Sequence, residues 1–185
     1  MNLPLRSAAF LALLLGTLGP ACSAGLAPID VQVHVQDSHV LVDARVPLPV
    51  NRTQAWSVLT DYAHMASFLP NLQEARVVST QGNVLTTFQR GVARYGIFSY
   101  DFEVTREVSL TPEEAVRSRL LSGNMKQFDA EATLRESAAG LTLDYHSDTV
   151  PDYWLPAFVV KPFVEHETRE QFEAMRREMA RRYPQ

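Results

Sequence analysis

The chain has 185 residues and a formal net charge of -4, with 17 Lys and Arg against 21 Asp and Glu. That balance, without a basic tail or stripe, excludes a surface built to hold nucleic-acid phosphates, which needs several clustered cations. A single cysteine, Cys22, excludes an internal disulfide, and stability has to come from a buried core.

Arg6 opens the chain as its only early charge, and an uncharged run follows from Ser7 to Leu18 before Gly19-Pro20-Ala21-Cys22-Ser23-Ala24. This is the charged start, apolar centre and small-residue site of a secretory signal. The run is shorter than the roughly 20 apolar residues a membrane span requires. We therefore expect residues 1–23 to be a removable signal, residues 24–185 to be one domain, and the destination to be periplasmic or otherwise exported. Cleavage after Ser23 or Ala24 would also remove the cysteine and any thiolate nucleophile. Ala21-Cys22 additionally resembles the end of a bacterial lipoprotein signal, which would place a lipid on Cys22, although Gly19 stands where an aliphatic residue usually does.

Ile29, Val31, Val33 and Val35 alternate with Asp30, Gln32, His34 and Gln36, the period of a strand with one wet face. Val40, Val42, Ala44 and Val46 resume it after Asp37-Ser38, which predicts either one bent strand or a small hairpin closed by Pro47-Leu48-Pro49. Asn51 can cap a helix over the following residues, with Gln54 placed as its capping-box partner. A second short helix over Tyr62 to Phe68 stops near Leu69-Pro70-Asn71, because proline lacks the amide donor. Strand patterns follow over Ala75 to Ser79, Val84 to Val92, Phe98 to Val108, Ala115 to Leu121, Phe128 to Leu134 and Leu141 to Tyr145. Short links between them favour antiparallel neighbours. From Val160 through Val164, Thr168, Phe172 and Met175 to Met179 the spacing changes to that of an amphipathic helix of 20 or more residues, with Phe163 beside the stripe. Arg176, Arg177, Arg181 and Arg182 complement the C-terminal pole of that helix. Its glutamates read as surface residues.

The fold class is α+β: an initial strand, two short helices, a run of antiparallel strands and a long C-terminal helix. In that order, and in Val46-Pro47-Leu48-Pro49-Val50, Ala55-Trp56-Ser57-Val58-Leu59-Thr60-Asp61-Tyr62 and Phe68-Leu69-Pro70-Asn71-Leu72, the chain resembles the START-like, Bet v 1-like (SRPBCC) superfamily. The likeness is to its polyketide cyclase/dehydrase and coenzyme-Q-binding branch. The resemblance implies a helix-grip fold, in which a curved sheet wraps the last helix around an apolar cavity for a lipid, isoprenoid or polyketide.

Phe98, Tyr100, Phe102, Phe128, Tyr145, Phe158, Phe163 and Phe172 are the candidate linings, with Tyr153 and Trp154 on a portal segment from Pro151 to Pro156. Aromatic rings offer large apolar area, and tyrosine or tryptophan can also hydrogen-bond a polar head. Arg90 shares its alternation with Val84, Thr86, Phe88 and Val92 and is expected to face inward; Arg119 shares parity with Ala115 and Leu121, with Val116 and Leu120 leaving its side open. Arg94, Asp101, Arg117 and Asp144 are the other charged strand residues of interest.

Five histidines form no short-spaced metal motif, no cofactor signature is present, and no nucleophile elbow occurs. The expectation is a binding or transfer protein for a hydrophobic small molecule or lipid, with no nucleic-acid partner, and with peripheral or lipid-anchored contact to a membrane. An enzyme is the less favoured outcome, since no catalytic signature commits the chain to one. A cyclase or dehydratase, or an interaction domain with an occluded cavity, are the alternatives.

Overall fold

The computed structural model describes residues 26–152 and 156–184. The expected signal and Cys22, together with Tyr153 and Trp154 of the expected portal, lie outside the described residues.

The first alternating run folds as the hairpin of the two options. β1 (Asp30–Gln36) pairs antiparallel with β2 (His39–Pro47), and Asp37 takes the turn with a φ of 55°. Aspartate is among the few residues with a side chain that enter this left-handed region readily. α1 (Arg52–Leu59) begins with the expected capping box: Asn51 Oδ1 accepts the Gln54 amide at 3.0 Å, and Gln54 Oε1 accepts the Asn51 amide at 3.2 Å. Ala55, Val58 and Leu59 form its buried side. The expected second helix is reduced to one 3-10 turn, Met65–Ser67, held by Ser67 Oγ donating to the His64 carbonyl at 2.7 Å.

Six further strands follow: β3 (Leu72–Gln81), β4 (Val84–Tyr95), β5 (Phe98–Thr111), β6 (Ala115–Gly123), β7 (Met125–Ser137) and β8 (Gly140–Pro151). They form an antiparallel meander, and β2 joins it beside β8, so the order across the eight-stranded sheet is β1-β2-β8-β7-β6-β5-β4-β3. α2 (Ala157–Arg182) lies against the sheet and packs on β1, β4 and α1. The architecture is the helix grip.

The predicted stripe of α2 is its buried side: Val160, Phe172, Met175 and Met179 are buried, and Val164 and Thr168 are half-buried. Pro162 sits inside the helix near its start and withholds the amide that would otherwise reach the Phe158 carbonyl. Arg169 donates to the Ile29 carbonyl and Arg176 to that of Ala27 at 3.3 Å, tying the helix to the segment ahead of β1.

The densest packing is where α1, the 3-10 turn and the last turns of α2 meet the sheet. Val58, Leu69, Val108, Leu143 and Met179 are almost wholly enclosed there. Arg52 braces this end, donating to the carbonyls of Glu113 at 2.8 Å and Leu134 at 3.2 Å.

Alternation holds as read in β5, β7 and β8 but is reversed in β4. The inward set there is Thr87, Gln89, Gly91 and Ala93, all buried, while Val84 and Arg90 are exposed and Phe88 lies under the Arg76 guanidinium, 4.5 Å from its ring centre. The rule that apolar residues face inward selected the wrong side because this strand turns polar and small residues toward the interior. Gly91 is required by close approach: a Cβ there would stand 2.0 Å from the Asn71 carbonyl oxygen and 2.8 Å from Phe102 Cζ.

Candidate ligand-binding cavity

Two chambers lie between the inner face of the sheet and α2. The inner one, about 280 Å³, is bounded by Leu59 of α1 and Tyr62 just after it, by Gln89 and Ala93 of β4, by Phe102, Val104 and Arg106 of β5, and by Phe172 and Met175 of α2. The outer one, about 480 Å³, is bounded by Phe98 and Ser99, by Pro151, and by Val159, Val160, Phe163 and Val164 of the first turns of α2. Tyr100, Met125, Phe128, Tyr145 and Gln171 line both, so the chambers adjoin along one path. From Phe98 to Arg106 the two chambers border a nine-residue stretch of β5, eight steps or roughly 26 Å at strand rise.

Most of the expected aromatic set is brought together here. Tyr100, Phe102, Phe128, Tyr145, Phe163 and Phe172 line one chamber or both, and Phe98 lines the outer one from a partly exposed position at the rim. Tyr145 and Phe172 meet edge to face with centroids 5.2 Å apart, and Tyr100 Oη donates to the Asn124 carbonyl at 2.9 Å. Phe158 is placed differently: it points away from both chambers and is 80% exposed.

Arg90 and Arg119 are corrections. Arg90 is exposed on the outer face with Nη2 3.4 Å from Glu74 Oε2, the consequence of the reversed facing of β4. Arg119 is exposed as well, its Nε 2.8 Å from Glu107 Oε1, because β6 turns Val116 and Ser118 to the inner chamber and its intervening arginines outward. Arg117 pairs with Glu131 and Asp144 with Arg45 and Arg135 on the same outer surface.

The cation that enters the cavity is Arg106. It shares the inward parity of Tyr100, Phe102, Val104 and Val108, and continuing that alternation through the sequence would have found it. Its guanidinium lies 5.1 Å from the Phe128 ring centre, and Nη2 donates to Gln89 Oε1. Gln89 is itself buried and reaches Met65 Sδ at 3.6 Å through its amide nitrogen. Arg106 Nε is buried without an acceptor, and among the described residues no carboxylate pairs with this guanidinium.

Burial pulls the Arg106 pKa down, opposed by Tyr62 and Tyr145. An arginine remains charged in a protein even so. The same burial pushes the phenols of Tyr62 and Tyr145 up, so both are neutral hydroxyls at neutral pH. Among the described residues, neither chamber is lined by Asp, Glu or His, and no three His, Cys, Asp or Glu side chains are placed to hold a metal ion. The site can therefore enclose apolar surface and place one fixed cation and several hydroxyls against a polar group. It offers no carboxylate or imidazole base.

Residues 46–176, more than two-thirds of the chain, match the family described as polyketide cyclase / dehydrase and lipid transport. The chain belongs to that family. No curated protein matches it. Among solved structures, a STAR-related lipid transfer protein from Xanthomonas axonopodis is 15% identical with a TM-score of 0.66, covering 82% of this chain and 93% of its own. A START superfamily protein from Mycobacterium smegmatis is 10% identical with a TM-score of 0.67, covering 77% and 99%. The Zhui aromatase/cyclase from a Streptomyces species is 17% identical with a TM-score of 0.61, covering 78% and 94%. At these identities the likeness shows the shared fold. The expectation that weighed against an enzyme is corrected: the family is described by cyclase and dehydrase activity beside lipid transport, and a structure sharing the fold is itself named an aromatase/cyclase.

Proposed function

We propose that this protein binds a hydrophobic small molecule along the joined chambers and exchanges it through the outer one. The observation that carries this reading is that the two chambers adjoin, sharing Tyr100, Met125, Phe128, Tyr145 and Gln171 as wall, with lining that is mostly apolar and few polar groups to orient a guest. The mouth supports the same reading. Ile97 at the tip of the β4–β5 hairpin is 94% exposed, and Tyr95, Phe98 and, at the start of α2, Phe158 are exposed as well. Tyr95 stacks on His166 with centroids 4.7 Å apart and holds hairpin and helix together. This rim, with Lys126 and Lys161 near it, supports peripheral contact with a membrane, as the signal-like residues 1–23 support an exported setting. No helix among the described residues is long and apolar enough to cross a membrane.

Titration with dodecan-1-ol, an uncharged chain, tests the binding reading. Saturable one-to-one binding is expected, and Ala130→Phe, which fills the inner chamber, should weaken it by about tenfold or more. Binding that Ala130→Phe leaves unchanged, or no binding at all, would overturn it.

A cyclase-type reading of the same cavity is favoured by one observation, the grouping of Arg106 with the neutral hydroxyls of Tyr62 and Tyr145. Such donors can polarise a ketone and hold the oxygen on which charge develops when a neighbouring carbon attacks it. A linear poly-β-ketone incubated with the protein should then lose water as a ring closes, faster than it does alone. An unchanged rate argues for binding only.

A further inference from the structure

We infer that the guest carries an anionic head, a carboxylate being the simplest, and that it lies head inward with that head on Arg106. The inference rests on the binding reading and names its ligand class. Three observations meet at one place. Arg106 brings a full positive charge to the inner chamber, and among the described residues no carboxylate answers it. Its neighbours there, the Gln89 amide and the Phe128 ring, supply only dipoles. Its Nε is a buried donor with no protein acceptor, and most buried polar atoms have one.

A buried charge without a counter-charge is costly to a fold, and a ligand that supplies the counter-charge recovers that cost on binding. The remaining walls fix the orientation. Outward from Arg106 the path runs past Phe128 and Tyr100 to Val159, Val160 and Phe163, which suit a tail. Arg90 and Arg119 do not compete for the head, since they lie on the outer face already paired with Glu74 and Glu107.

The test compares two probes of one chain length, dodecanoate and dodecan-1-ol, by calorimetric titration of the full chain at neutral pH. The acid should bind roughly tenfold or more tightly than the alcohol, the range of a charge-assisted hydrogen bond. Arg106→Met should abolish that preference by lowering affinity for the acid far more than for the alcohol, and Arg106→Lys should keep part of it. Should Arg106→Met fail to fold, the unaltered protein decides: acid affinity must fall as pH drops through the ligand's own carboxyl range, with alcohol affinity constant. Equal affinity for acid and alcohol overturns the anionic head while the cavity reading stands. Failure of both probes to bind overturns the cavity reading and this inference with it.

Discussion

Two charges of opposite sign sit between α2 and the sheet, Glu178 buried and Arg106 half-buried with its Nε enclosed, and the fold treats them differently. Glu178, 6% exposed, is answered within the chain: Arg181 and Arg182 each reach its carboxylate at 2.7 Å, and Arg182 also lies 2.8 Å from Asp61 Oδ2. Those hydrogen bonds, Arg181 first, hold its pKa at about 2 against burial. Arg106 has an amide and an aromatic ring. A charge whose counter-charge is built into the fold ties elements together, here α2 to the segment after α1. One left with dipoles alone is available to a guest.

The comparison is most easily broken by packing. At the closed end Met179 has no exposed surface, and Met179→Ala should cost about 2–5 kcal/mol by denaturant titration. Met125→Ala, on the wall of both chambers, should cost about 1 kcal/mol, because its site is half-buried and already borders space. Equal losses would mean that the chambers are as tightly filled as the core.

Glu178→Ala should cost about 2 kcal/mol, since it removes the shared partner of two arginines from a buried position. The pH dependence follows from the depressed pKa. A carboxyl held at about 2 rather than 4.5 contributes stability that is full above the ordinary value and is lost as pH falls toward 2. Glu178→Gln should therefore lose less stability than the native chain on acidification across that window; parallel curves would deny the network its role. The smallest effect is expected at Arg106. Arg106→Met should change stability by less than about 1 kcal/mol, because an apolar side chain of similar length replaces a charge that has no ion-pair partner. A loss as large as that of Glu178→Ala would make Arg106 a structural clamp through Gln89.

Much of the fold was legible in the sequence because the signals were local and redundant. The capping box of Asn51 and Gln54, the alternation of β7 and β8 and the four-residue spacing along α2 each specify an element without knowledge of the rest. The site was legible in part. Aromatics in an alternating strand marked Tyr100, Phe102, Phe128 and Tyr145 for the cavity wall. Of the polar members, Gln89 followed the misread facing of β4 and Arg106 was passed over, because a wall that must orient a guest places both where hydrophobic patterning expects apolar residues. Arg90 shows the converse, an arginine in phase with valine and phenylalanine on a face that turned out to be solvated. Glu178 could not be read as buried either. Its burial depends on Asp61 and Arg182, more than a hundred residues apart, meeting beside it.

A crystal structure of the full chain with dodecanoate tests the central claim most directly. The carboxylate is expected within about 3 Å of an Arg106 nitrogen, with the tail passing Phe128 and Tyr100 into the outer chamber. A carboxylate turned to the mouth beside Lys161, with the tail inward on Arg106, would contradict it.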